Sequence, residues 1–97
     1  MTLKMTNTQI IQLLADAKTQ REIADATSAK LGKHPTQNIR YSEWTTQQRA
    51  ERFQMEAIIQ RANARIGDIM AAIDTETYDR PLMEYVADWR QRYYRQP

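Results

Sequence analysis

The sequence predicts an all-α fold, and three observations support that prediction. Valine, which favours strands, occurs only at Val86, whereas Ala, Gln, Arg, Met and Glu, which favour helices, are abundant. Only two Gly and three Pro interrupt the chain, so there are few places where a helix must end. Apolar residues recur at helical spacing in three separate stretches. We therefore expect a small bundle of three to four helices in a single domain, residues 1–97.

The N-terminal stretch contains a helix start signal. Residues 1–5 are expected to be a frayed end. Thr6 and Gln9 have the spacing of a capping box, in which two side chains satisfy the free amide groups of a first helical turn. The first helix is therefore predicted to begin at about residue 7.

A second capping-box signature follows within the same stretch. Thr19 and Glu22 have this spacing, which favours a break or bend near Lys18. Residues 7–31 would then form a helical hairpin or a bent helix, and one continuous helix is the alternative. Gly32 is expected to end this region in the left-handed conformation that glycine adopts after helices.

The segment between Pro35 and the next long helix is ambiguous. Pro35 is expected to prevent the first helix from continuing. Residues 36–41 are compatible with a short helical turn or with a loop.

The longest predicted helix runs from about Ser42 to Ile73, and we expect it to organise the bundle as a central helix. At about 1.5 Å per residue it would span roughly 45 Å. Its main core stripe is predicted to consist of the apolar residues that fall within about 60° of one direction on a helical wheel, together with Trp44. These residues are Met55, Ile58, Ile59, Ala62, Ile66, Ile69, Met70 and Ile73.

The opposite side of this helix has a pattern of its own. Alanines recur there every seven residues, with one aromatic residue among them, and small residues allow another helix to approach closely. We interpret this side as a second packing surface, either for the C-terminal helix or for a copy of the same helix in a dimer, in which case it is an oligomerisation surface that completes a thin, Ala-rich core. The alternative is that Ala is present only because it is the best helix former. The predicted surface consists of Ala50, Phe53, Ala57, Ala64 and Ala71.

A last helix is predicted over residues 80–95, after a polar connector at 74–79. It carries an apolar stripe at spacings of three or four residues and is expected to pack on the long helix. The stripe consists of Leu82, Tyr85, Val86, Trp89 and Tyr93.

Charge is unevenly distributed along the chain although the net charge is only +2. All lysines lie at or before Lys33, and every later cation is an arginine. Because Arg, Trp and Tyr dominate interface hot spots, we predict a partner-binding surface, with a frayed and solvated C-terminus as the alternative for its terminal part. The predicted residues are Arg61, Arg65, Arg90, Tyr94 and Arg95.

Chemistry-bearing residues are sparse. The chain has one histidine, His34, and no cysteine, so neither a nucleophilic site nor a metal site is predicted. No enzymatic activity and no cofactor are expected. The apolar runs are too short for a transmembrane span or a signal peptide, which predicts a cytoplasmic protein.

Two functional hypotheses follow. The first is a protein-protein interaction module that is not an enzyme: a small adaptor, assembly factor or inhibitor of phage or mobile-element type, able to form a homodimer. The second is DNA binding, because residues 19–44 resemble a loose helix-turn-helix with amide and guanidinium groups suited to base edges. Its predicted contacts are Lys30, Lys33, Gln37, Asn38 and Arg40.

Overall fold

The computed structural model describes residues 5–74 and 80–93, and it confirms the all-α class: the described residues contain helices and no strand. Helix α1 spans Asn7–Gly32, α2 spans Thr46–Asp74 and α3 spans Arg80–Tyr93. Two short 3-10 helices, Pro35–Asn38 and Tyr41–Glu43, lie between α1 and α2.

Helix α1 is one continuous helix, so the predicted hairpin is wrong and no break occurs at Lys18. The capping box at its start is confirmed: the Thr6 hydroxyl accepts from the Gln9 amide, and the Gln9 side chain accepts from the Thr6 amide. The Thr19 hydroxyl does not cap a second helix. It donates instead to the carbonyl of Ala15, 3.2 Å away, which is the bond that a threonine inside a helix makes with the preceding turn.

The end of α1 also differs from the expectation. The helix stops at Gly32, ahead of Pro35, but Gly32 does not have a positive φ. The amide of the next residue, Lys33, donates to the carbonyls of Lys30 and Leu31. These bonds close the last turn without the left-handed residue that we predicted.

Helix α2 begins at Thr46 rather than at Ser42. A capping box defines this start: the Thr45 hydroxyl accepts from the Gln48 amide at 3.0 Å, and the Gln48 side chain accepts from the Thr45 amide at 2.9 Å. Trp44 therefore precedes the helix, and its assignment to the core stripe of α2 was wrong.

Helices α1 and α2 form an antiparallel pair, and α3 covers one half of its length. The predicted stripe on α2 supplies the buried residues of that helix, but Ile58 is 38% exposed and was wrongly assigned to the core. The core cluster combines residues from the first half of α1, the second half of α2 and the whole of α3. Its members are Ile10, Leu14, Ala17, Ile66, Ile69, Met70, Ile73, Leu82, Val86 and Trp89.

Helix α3 packs against α1, and its apolar residues also share the core cluster with the second half of α2. Leu82, Val86 and Trp89 are buried as expected, whereas Tyr85 is 48% exposed. Two α1 cations hold the end of α3: the Arg21 Nε atom donates to the carbonyl of Tyr93 at 3.0 Å, and Lys18 lies over its ring. Helix α1 contacts both other helices, and the role of α2 as the central helix stays a prediction.

Candidate functional site

A hydrogen-bond network joins the 33–45 connector to the first turns of α2. The Nδ1 atom of His34 accepts from the backbone amide of Thr36 at 3.3 Å and lies 2.8 Å from its hydroxyl. The opposite ring nitrogen, Nε2, lies 2.8 Å from the Glu51 carboxylate. Arg52 donates to the Thr36 hydroxyl at 3.0 Å. Since His34 and Thr36 are buried, this network fixes the connector against α2.

A series of contacts between two aromatic rings and two flanking cations continues from this network to the surface. The Arg52 guanidinium lies 4.9 Å from the centre of the Trp44 ring, and the Trp44 and Tyr41 rings lie 4.9 Å apart. On the other side of Tyr41, the guanidinium of Arg49 lies 4.7 Å from the ring centre and donates to the Tyr41 carbonyl. Such cation-aromatic contacts hold both partners in one orientation.

The outward face of α2, defined by Ala50, Phe53, Ala57, Ala64 and Ala71, is turned away from the core. All of these residues are exposed except Ala57, which is half-buried. The Arg61 side chain folds back along the helix at this point, and its Nε atom donates to the Ala57 carbonyl. Phe53 is 73% exposed, the largest fraction among the large hydrophobic residues of the described part.

Three large side chains at one end of the outward face form what we call the aromatic patch: Tyr41, Arg49 and Phe53. Arg49 and Phe53 are one helical turn apart and so are neighbours on the surface of α2. Tyr41 is 65% exposed and is held against Arg49 and Trp44. The patch thus combines residue types that are enriched at protein interfaces.

The predicted partner-binding arginines are engaged within the chain. Arg65 pairs with Asp16 of α1 at 3.0 Å, and Arg90 pairs with Asp74 of α2. Arg61 makes the bond to Ala57 described above. Tyr94 and Arg95 lie outside the described residues. Arg61 and Arg65 are exposed and one helical turn apart on α2, whereas Arg90 lies on α3. The Nε atom of Arg90 is buried without a hydrogen-bond partner.

The predicted DNA-contacting residues lie around the end of α1. Lys30, Lys33, Gln37, Asn38 and Arg40 are all exposed. Gln37 and Asn38 belong to a 3-10 helix of four residues, and residues 19–32 are the second half of the long α1. Between α1 and α2 the chain forms only two short 3-10 helices, so a recognition helix for the major groove is not formed there, and DNA binding itself stays a prediction.

Sequence patterns predicted part of this surface. The outward face of α2 followed from the spacing of seven residues, and the preference of interfaces for arginine indicated Arg49, whereas Tyr41, Glu51 and Thr36 were not singled out. Two signals for them were present: a Tyr-x-x-Trp pair immediately before a Thr-x-x-Gln capping box, and a histidine followed two residues later by threonine.

Within residues 5–74 and 80–93, no group of three or more His, Cys, Asp or Glu side chains is arranged to hold a metal ion. None of the helices in these ranges is long and apolar enough to cross a membrane. Comparison of the chain with protein-family models, with curated proteins and with solved structures found no match to any of them.

Proposed function

We propose that this chain is a protein-binding module without enzymatic activity, and that it binds through the outward face of α2 and the adjoining aromatic patch. The observation that carries the proposal is the exposure of Phe53 and Tyr41 on either side of Arg49. Large aromatic residues are enriched at the centres of interfaces, where burying them excludes water. The chain has few bulky hydrophobic residues, so the exposure of Phe53 and Tyr41 indicates a surface that binds a partner.

The contacts of Tyr41 and Arg49 within the patch support the same proposal. Tyr41 and Arg49 hold each other, and Trp44 supports Tyr41 from behind. Binding therefore orders few side chains, which lowers the entropic cost of association. A chain with these properties suits the role of a small cytoplasmic adaptor, assembly factor or inhibitor.

Affinity capture with variants tests this proposal. The tagged chain is incubated with host-cell lysate, and the captured proteins are identified by mass spectrometry. The wild type is compared with Phe53→Glu and with Met83→Glu, a control that places the same charge at an exposed apolar residue of α3. We expect one set of proteins to be captured by the wild type and the control and lost with Phe53→Glu.

Two further conditions complete the experiment. Far-UV circular dichroism establishes that both variants retain the wild-type helix content. Parallel captures with and without nuclease separate protein binding from nucleic-acid binding, because retention through DNA disappears when the nucleic acid is digested. Equal capture by Phe53→Glu and the wild type, or capture that depends on nucleic acid, would contradict the proposal.

A further inference from the structure

We propose that the end of the molecule where α1 stops and the connector begins binds the phosphate backbone of a nucleic acid. None of the residues involved belongs to the outward face of α2 or to the aromatic patch, so this site is separate from the protein-binding surface proposed above. We call it the connector surface, and it consists of the exposed residues Lys30, Lys33, Gln37, Asn38 and Arg40.

Free cations distinguish the connector surface from the rest of the described chain. Within residues 5–74 and 80–93, the side chains of Lys30, Lys33 and Arg40 make no hydrogen bond, ion pair or ring contact. Every other lysine and arginine of these ranges contacts a carboxylate, a backbone carbonyl or an aromatic ring of the chain. The charges of these three residues are therefore available to a partner.

The connector brings these three cations to one end of the molecule. Lys33 directly precedes His34 and Arg40 directly precedes Tyr41, and both His34 and Tyr41 contact the first turns of α2. Lys30 lies one helical turn before Lys33, so the two are neighbours at the end of α1. A single extended anion can therefore approach all three side chains.

The residue type of the free cations favours a nucleic acid over a protein as the partner. Lysine is depleted at protein interfaces, where arginine is preferred. Its compact charge does suit phosphate oxygens. Lys30 and Lys33 are lysines, whereas the cations of the aromatic patch and of the outer side of α2 are all arginines. The two surfaces therefore differ in the class of partner that they suit.

The amide side chains and the charge balance support the same partner. Gln37 and Asn38 are exposed between two of the cations, and such side chains commonly bond to the phosphate and sugar groups that position a protein on a duplex. Glu43 carries the one carboxylate between residues 29 and 43, so positive charge prevails there. Because the 3-10 helices of the connector are too short to read a major groove, we expect binding with little sequence preference.

Fluorescence anisotropy with a labelled duplex DNA of random sequence, measured over a series of salt concentrations, tests the proposal. Each phosphate that a cation neutralises contributes about −0.9 to the slope of log K against log salt. Three cations predict a slope of about −2.7, so a tenfold rise in salt should weaken binding roughly 500-fold. A labelled single strand measured in parallel distinguishes the two forms of nucleic acid, because three contacts with it give a slope of only about −2.

Substitution of the cations by glutamine locates the site. Lys33→Gln removes one contact, so the same tenfold rise in salt should weaken duplex binding only roughly 60-fold. The variant that combines Lys30→Gln, Lys33→Gln and Arg40→Gln should not bind. Arg80→Gln is the control, because it removes the same charge from a side chain of α3 that is 89% exposed, and it should bind like the wild type. Circular dichroism checks that all variants remain folded.

Three results would overturn the proposal. The first is a wild type that does not bind DNA at the lowest salt concentration. The second is an equal loss of binding in Lys33→Gln and Arg80→Gln, which would show a response to net charge alone. The third is competition by poly-L-glutamate as effective as competition by unlabelled DNA, which would indicate an acidic protein as the partner. Since the outward face of α2 is unchanged in all these variants, none of the three results bears on protein binding there.

Discussion

The Nε2 atom of His34 lies 2.8 Å from the Oε2 atom of Glu51, and this contact joins the connector to α2. Because the Nδ1 atom of His34 accepts from the Thr36 amide, the proton of the neutral ring is on Nε2, which donates to the carboxylate. The hydrogen bond from His34 lowers the pKa of Glu51 below its usual value. The connector contains only two short 3-10 helices. The ionised side chain of Glu51 therefore helps to hold it against α2.

The lowered pKa of Glu51 predicts loss of stability in acid. A carboxyl group whose pKa is lower in the folded chain stabilises the fold above its unfolded pKa, about 4.3 for Glu. That contribution is lost as the pH falls through the folded pKa. We expect Glu51→Gln to lower the melting temperature at neutral pH and to have progressively less effect as the pH falls below about 4. Thermal melts by circular dichroism across this range measure the difference.

Glu84→Gln provides the control for that measurement. Glu84 lies on α3, where its side chain is 73% exposed in an ion pair with Arg80, and surface pairs of this kind contribute little. Its substitution should change the melting temperature slightly at every pH. If Glu51→Gln and Glu84→Gln gave the same pH profile, the assigned role of the His34 contact would be wrong.

The Thr36 hydroxyl is the centre of the connector network, and removing it should destabilise the fold. It is buried between His34 Nδ1 and an Arg52 nitrogen. Thr36→Val keeps the shape and the backbone bond to His34 Nδ1, but it removes the acceptor of the Arg52 nitrogen, and a polar group left unsatisfied costs about 1–3 kcal/mol. Urea unfolding gives the free energy. Thr19→Val is the matched control, because the Thr19 hydroxyl bonds only to its own helix at an exposed position, and it should change stability by less than about 0.5 kcal/mol.

Spacing patterns predicted the helices well because the apolar stripes are a direct consequence of burial. The break at Lys18 was mispredicted because a capping-box signature is local. Inside α1, the buried residues Leu14, Ala17 and Ala24 keep one face packed on both sides of Lys18. That packing, together with the bond from Thr19 to Ala15, favours a continuous helix over a cap.

The candidate surface was predictable only where it lies on one helix. The outward face of α2 repeats every seven residues, so its members could be found from spacing alone. The pairing of Arg65 with Asp16 spans 49 residues, and the stack of Arg49 on Tyr41 depends on a 3-10 turn that no periodicity reveals. Contacts of this kind depend on the tertiary arrangement, so a short pattern such as Tyr-x-x-Trp marks one residue without identifying its partner.

The core cluster predicts a sharp contrast between two neighbouring positions of α1. Leu14 is fully buried in this cluster, whereas Ile11, on the same helix, is 42% exposed. Leu14→Ala removes buried methyl groups and leaves a cavity, for which we expect a loss of about 2–5 kcal/mol. Ile11→Ala should cost less than about 1 kcal/mol. Urea unfolding followed by circular dichroism measures both free energies of unfolding. Equal losses for the two variants would contradict the assignment of Leu14 to the core.

The capping box at the start of α2 predicts that a substitution of Thr45, an exposed residue, lowers the stability of the fold. The Thr45 hydroxyl accepts from the Gln48 amide, which otherwise has no partner within the helix. Thr45→Ala should therefore lower the free energy of unfolding by about 1 kcal/mol. Thr45→Ser keeps the oxygen and should be nearly neutral, since serine caps at least as well as threonine. Thr46→Ala is the control, because it removes a hydroxyl one residue inside the helix and leaves the cap intact. Chemical denaturation gives the free energy of unfolding of all three variants, and a loss with Thr45→Ala alone shows that the cap is responsible.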